Sequence, residues 1–173
     1  NFREKMDKLF SPWRTLYIQS FKDKKEENGC VFCNCDFDNY TSDDSQIIYN
    51  GKTCFIMLNL FPYNSGHLMV IPKRHLNNIN DLTDEESTEI MRLTKLSIKA
   101  LDITMKPQGY NIGANLGKAA GAGIDQHLHY HIVPRWIGDV NFMPVIGEIK
   151  VISVDLLEAK RDLIDAFNKL STE

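Results

Sequence analysis

The stretch His127-Leu128-His129-Tyr130-His131-Ile132-Val133-Pro134-Arg135 holds three of the chain's five histidines at alternate positions. Side chains on a β-strand point alternately to opposite faces, so this spacing lines three imidazoles along one face and Leu128, Tyr130 and Ile132 along the other. A row of ring nitrogens on a rigid element is costly to bury in a core. It predicts a chemical site.

Working outward from that strand, the segment Gly66–Pro72 carries His67-Leu68-Met69-Val70-Ile71 and predicts a second apolar strand, ended by proline. Gln46–Asn50 and Thr53–Leu60 are rich in β-branched and apolar residues and are separated by Asn50-Gly51, a strong short hairpin signal. Gly109–Leu116 predicts a further strand, joined to the histidine strand His127–Pro134 by the glycine-rich run Gly117-Lys118-Ala119-Ala120-Gly121-Ala122-Gly123. Thr83 followed three residues later by Glu86 is a capping box, and Ile90, Leu93, Ser97, Ala100 and Leu101 then follow helical spacing, which predicts a helix from Asp84 to near Thr104. Leu156, Leu163, Phe167 and Leu170 form one stripe of a last amphipathic helix over about 154–170. Runs of strands with two segregated helices predict an α+β domain on a largely antiparallel sheet. The aromatic run through Phe2, Phe10, Trp13, Tyr17 and Phe21 predicts an N-terminal arm over about 1–29 that packs on this single domain of residues 1–173.

Composition narrows the function. With 173 residues, 43% hydrophobic and 25% charged, the chain has the make-up of one globular domain with a sizeable core. Its formal net charge of -3 gives no general attraction for nucleic acid, although Lys73, Arg74, Lys118 and Arg135 could meet a phosphorylated small molecule. No apolar run approaches the roughly 20 residues that a membrane span needs, and the charged N-terminal stretch Asn1 to Lys8 has no signal-peptide core. A cytoplasmic protein with reduced thiols is the expectation, with neither nucleic acid nor membrane as partner.

Near neutral pH an imidazole is largely unprotonated, so one histidine can attack an electrophile while its neighbours donate hydrogen bonds. Attack on phosphorus would give a nucleotidyl-histidine and split one difficult substitution into two easier ones. The same three histidines could instead hold a catalytic zinc. Cys30-Val31-Phe32-Cys33 has the spacing of half a zinc site; a pair of reduced thiols, a competing ligand in Cys35, and a redox dithiol are its other readings. Cys54, inside an apolar strand, is expected in the core, and Trp13 and Trp136 are expected to pack rather than bind.

The string from His127 to Val133 resembles the H-x-H-x-H-x-x signature of the histidine triad family. The resemblance extends to Asn59 with Pro62, to Gly66-His67 before an apolar strand, to Pro72-Lys73-Arg74-His75, to Asn115 before the glycine-rich loop, and to Pro134-Arg135-Trp136; it covers about residues 30–145. Within it, Trp136-Ile137-Gly138-Asp139-Val140-Asn141-Phe142 is similar to the dinucleoside polyphosphate branch, which includes fragile-histidine-triad hydrolases and diadenosine tetraphosphate phosphorylase-like proteins.

This resemblance implies the histidine triad fold and a nucleotide hydrolase or transferase acting on dinucleoside polyphosphates, with a nucleoside phosphoramidase as the alternative within the family. It implies that His129 is the nucleophile, that His131 contacts the phosphate and assists the leaving group, and that His67 supports the triad. Asn59 would hold the ribose, Asn115 would contact the reacting phosphate, and the loop through Gly121 and Gly123 would let main-chain amides approach the polyphosphate. Many members carry Ser or Thr just before the first histidine, whereas this chain has Ile124, Asp125 and Gln126, so Gln126 or the main chain is expected to supply those donors. Relatives that include galactose-1-phosphate uridylyltransferases complete a structural zinc site in a way that here would use Cys30, Cys33, His75 and His127. The resemblance further implies no organic cofactor and a homodimer.

Overall fold

The computed structural model describes residues 29–139 and 154–172. The expected N-terminal arm, with Trp13, and the end of the Trp136–Phe142 segment lie outside the described residues. Five strands, β1 (Ile47–Asn50), β2 (Cys54–Leu58), β3 (Leu68–Pro72), β4 (Gly109–Gly113) and β5 (Tyr130–Arg135), make one antiparallel sheet in the order β1-β2-β3-β5-β4. Two long helices, α1 (Asp84–Thr104) and α2 (Leu156–Ser171), pack against each other and against one face of that sheet. The α+β expectation is therefore met.

The period-2 pattern of the strands sorts residues between two cores. Ile56, Leu58, Leu68, Val70 and Ile132 face the helices, where they meet Ile90, Leu93 and Leu101 of α1 and Leu163 and Phe167 of α2. Each such side chain contributes about 1.5–3 kcal/mol when fully removed from water. On the opposite face Phe55, Met69 and Ile71 join Phe32 and Ile47 in a smaller cluster, covered by Phe37, Tyr40 and Ile124. Cys54 is buried in the larger core, as its apolar neighbours predict.

Helix α1 begins where its sequence says it must: Thr83 Oγ1 accepts from the Glu86 N–H, and the Glu86 carboxylate accepts from the Thr83 N–H, which completes the capping box. The β1–β2 connection is antiparallel as expected, but it is not the tight turn that Asn50-Gly51 suggests. Asn50 pairs with Phe55, which leaves a four-residue loop, and Gly51 is absent from the glycines with positive φ. The reason lies in α1: the buried Glu89 carboxylate accepts from the N–H groups of Lys52, Thr53 and Cys54 and from Thr53 Oγ1. Glycine is still required at position 51, because a Cβ there would stand 2.7 Å from both Cys54 O and Glu89 Oε1.

The histidine strand starts later than its spacing suggests, at Tyr130 rather than His127, and β4 ends at Gly113 rather than Leu116. Continued in register from Val70↔Tyr130, the β3–β5 ladder would set Pro72 opposite Leu128. Proline has no N–H to offer, so pairing stops. Leu128 N–H instead donates to Leu76 O at 2.6 Å, and Pro72 O receives the His127 ring.

Candidate active site

The face of the sheet opposite the helices carries the histidines. His67 enters β3 on the same side as Met69, and Met69 pairs with His131 across the ladder, so the two rings meet: His67 Nε2 lies 3.0 Å from His131 Nδ1. The His129 and His131 rings stand edge to face with centroids 4.8 Å apart, and Phe32 packs against both His127 and His129. His67, His127, His129 and His131 are all buried.

Their hydrogen-bond partners determine which nitrogen of each ring carries the proton. A main-chain N–H can only donate, so the Tyr63 N–H at 3.0 Å makes His67 Nδ1 an acceptor. His67 Nε2–H then donates to His131 Nδ1, which leaves His131 Nε2 as a donor. A carbonyl can only accept, so His129 Nδ1–H donates to His127 O at 2.9 Å, and His129 Nε2 keeps its lone pair. The arrangement thus offers one nucleophilic nitrogen beside one hydrogen-bond donor. Burial pushes the His129 ring below its usual pKa, against the pull of the His127 carbonyl, and burial with the nearby His129 pushes His131 down to about 4. Both rings are neutral at physiological pH, as nucleophile and donor require.

Asn59 sits where it can act with this cluster. The loop from Asn59 to His67 is closed by the Asn59 N–H donating to His67 O at 2.9 Å. Asn59 Oδ1 accepts from the Phe61 N–H, which orients the amide so that Nδ2 faces His67 Nδ1 at 3.4 Å. From Asn59 a cavity of about 500 Å³ runs past Met57, Met69 and Ile124 to Phe32 and the loop before β1. This volume suits a nucleoside-sized ligand.

The glycine-rich segment does form a tight loop, with Gly117 and Gly121 at φ of 78° and 86°, values that favour glycine. Asp125 stands 3.6 Å from Lys118 across it, so its carboxylate is turned to a cation. The other sequence candidates are less closely joined to the triad. Asn115 is half-buried and Gly121 and Gly123 are exposed, while Gln126 lines a separate cleft with Arg74, His75 and Asn77. The Arg135 guanidinium is paired with Asp139, at 2.6 and 2.8 Å, and donates to Asn111 Oδ1.

Some neighbours carry no signal in the sequence. Tyr63 lays its ring against His67 and His131, at 4.8 and 5.7 Å, and shields them from water. Asn64 donates to Asp139 and to Pro134 O, tying the Asn59–His67 loop to the end of β5. The two Asn64 bonds join residues 70 and 75 positions apart, beyond any local spacing rule.

Beside the triad, the ligand atoms of Cys30, Cys33, His75 and His127 all lie within 4.8 Å of one another. Cys30 Sγ is 3.2 Å and Cys33 Sγ 3.6 Å from His127 Nδ1, and Cys33 Sγ is 3.3 Å from His75 Nδ1. Tetrahedral bonds of 2.0–2.3 Å put ligand atoms about 3.5 Å apart, so the donors are already arranged as a metal would hold them. His127 Nε2–H donates to Pro72 O at 2.8 Å, which frees Nδ1 as the ligand. Burial raises the Cys30 thiol, but hydrogen bonding with His127 and with the Cys33 and Phe32 main chain outweighs it and brings the group to about 6; burial and the neighbouring Cys30 push Cys33 to about 11. Cys35 turns to Val31 O instead. The histidine row does not gather as a ligand set, because His127 Nδ1 faces the cysteines while His129 Nδ1 and His131 Nδ1 are committed to His127 O and His67.

Comparison with known proteins agrees with this geometry. A family model described as the HIT domain matches residues 41–136. The chain is 38% identical over 162 residues to an AP-4-A phosphorylase of Mycobacterium tuberculosis, covering 92% of this chain and 83% of that protein. It is 32% identical over 109 residues to an adenosine 5'-monophosphoramidase of Schizosaccharomyces pombe, covering 62% of this chain and 74% of that protein. Among solved structures, a Zn-bound histidine triad family protein from Mycobacterium smegmatis superposes with a TM-score of 0.63 at 28% identity, covering 83% of this chain and 96% of that one.

Proposed function

The chain belongs to the HIT domain family, its relatives there include an AP-4-A phosphorylase and an adenosine 5'-monophosphoramidase, and from that membership we propose that it splits dinucleoside polyphosphates of the diadenosine tetraphosphate type through a nucleotidyl-His129 intermediate. The observation that carries the reading is the chain of hydrogen bonds from the Tyr63 N–H through His67 to His131, set beside the His129–His127 carbonyl bond. It leaves a lone pair on His129 Nε2 and a proton on His131 Nε2, the two groups an in-line substitution at phosphorus needs.

In the first step His129 Nε2 attacks the α-phosphorus, and the bond from that phosphorus to the bridging oxygen breaks. ATP departs, its oxygen stabilised by the His131 Nε2–H, and AMP stays bonded to His129. In the second step inorganic phosphate attacks the nucleotidyl-histidine and gives ADP, or water attacks and gives AMP. Main-chain amides of the loop around Gly121 and Gly123, together with Asn115, serve the phosphate oxygens, and Asn59 serves the ribose. The 38% identity with an AP-4-A phosphorylase over most of both chains favours phosphate as the acceptor.

Cys30, Cys33, His75 and His127 hold a structural zinc in this reading. A closed four-ligand site supplies folding energy rather than chemistry, and its effect on catalysis is indirect, since His127, one of its ligands, offers the carbonyl that orients His129. The reading includes a cytoplasmic homodimer with no organic cofactor and no nucleic-acid partner. The half-exposed Ile112 on edge strand β4 and Ile103 on α1 suit a self-contact. No described helix is long and apolar enough to cross a membrane.

The deciding experiment incubates the protein with diadenosine tetraphosphate with and without inorganic phosphate and resolves the products. ADP plus ATP marks phosphorolysis, and AMP plus ATP marks hydrolysis. If neither pair forms while an adenylyl-amine is cleaved, the dinucleotide assignment fails and the phosphoramidase reading replaces it, as the similarity to the Schizosaccharomyces pombe enzyme would allow.

A further inference from the structure

Helix α2 lies wholly beyond the residues that match the family model, yet it holds a segment that lines the cavity. Lys160, on its second turn, is 2% exposed, and its ammonium donates to Tyr40 O at 3.3 Å and to Ser42 O. The adjacent Arg161 pairs with Asp43 at 2.6 Å. The segment so held alternates with the cavity lining, to which Asn39, Ser42, Asp44, Ser45 and Gln46 all contribute. A buried ammonium is retained only when carbonyls or carboxylates take its protons, so the two main-chain oxygens are strongly held, and a methylene stem of this length spans from the helix to the loop. The same cavity is also lined by Asn59, whose amide faces His67.

We infer that Lys160 is a positioning residue for substrate selection: by gripping the Tyr40–Ser42 main chain from α2 it shapes the wall against which the nucleoside end of the substrate rests, without touching the reacting phosphate. This rests on the reading of the cavity as the nucleoside site. It makes α2 a specificity element rather than only a cover for the sheet.

The test compares Lys160→Met, which keeps the stem and removes the ammonium, with Ala166→Gly, which weakens α2 at a buried position away from the loop. AMP binding by calorimetry and diadenosine tetraphosphate kinetics are measured on both variants and the wild type, at a temperature where all are folded. Loss of hydrogen bonds to a charged group predicts that Lys160→Met raises the AMP Kd and the dinucleotide KM about tenfold while kcat stays within about twofold. Hydrogen exchange at residues 39–46 should rise in that variant, and Ala166→Gly should leave Kd and KM unchanged. Equal shifts in the two variants, or unchanged AMP affinity in Lys160→Met beside a wild type that binds AMP, would overturn the positioning role alone. A wild type that binds no AMP would overturn the nucleoside reading and this inference with it.

Discussion

His67 Nε2 donates to His131 Nδ1 across 3.0 Å, although the two residues are 64 positions apart, His67 directly before β3 and His131 within β5. The pairing follows from β3–β5 register, which sets Met69 opposite His131 and brings the residue two before Met69 to the same face. Its consequence is chemical: with Nδ1 occupied as an acceptor, His131 must present Nε2–H to a ligand. His67→Ala removes the donor that selects this tautomer. Its kcat is expected to fall by about 100-fold with KM changed little, since the loss bears on leaving-group stabilisation; steady-state kinetics checks this, and an unchanged kcat would remove His67 from the catalytic arrangement.

His129→Gly removes the nitrogen proposed to form the covalent bond. Turnover of diadenosine tetraphosphate should fall by about four orders of magnitude, while AMP still binds, because the nucleophile acts mainly in the transition state. Rapid quenching with radiolabelled substrate should trap an acid-labile adduct in the wild type and none in the variant. A variant that retains turnover would rule out the covalent route.

One equivalent of zinc per chain is expected in protein purified without chelator, and none in Cys30→Ser, Cys33→Ser. The double variant should unfold at a lower temperature, because a closed Cys/His site contributes its binding energy to folding. Elemental analysis and calorimetry together decide the matter: zinc-free wild type would dismiss the site, and zinc whose removal stopped turnover without loss of stability would point to a catalytic ion instead.

Acid should unfold the protein through Glu86 and Glu89. Hydrogen bonding from Arg74 draws Glu86 down to about 2; Glu89 is also brought to about 2, where burial opposes the shift but the Thr53 hydroxyl and the Thr53 and Lys52 N–H groups outweigh it. A carboxylate whose pKa is lowered by folding stabilises the protein fully above its unfolded value of 4.5, and that contribution disappears as pH falls through the interval toward 2. Glu89→Gln should therefore lower stability at neutral pH, by about 2 kcal/mol for the weakened bonds to the β1–β2 loop, and flatten the dependence between pH 4.5 and 2. Urea titrations at several pH values give both quantities, and equal losses at pH 7 and pH 2 would contradict the assignment.

What the sequence determined by itself is what short-range geometry encodes. The alternation of His129 and His131 with Tyr130 and Ile132, the Thr83–Glu86 capping box, and the stripe of Leu163 and Phe167 each depend on a period of 2 or 3.6 residues, so they could be read directly, and they were enough for an α+β antiparallel domain with a histidine face. Asn50-Gly51 shows the limit of that reasoning, for the hairpin is present but its loop is shaped by Glu89, 38 residues downstream of Gly51. The convergence of Cys30 and Cys33 on His75 and His127, the tautomer chain through Tyr63 and His67, and the grip of Lys160 on Tyr40 and Ser42 span from 42 to 120 positions wherever they bridge elements remote in sequence. Only strand order and the packing of helices on one face bring such groups together, because a side chain's distant partner is selected by the three-dimensional register of the sheet and by the burial of its neighbours, neither of which leaves a period in the chain.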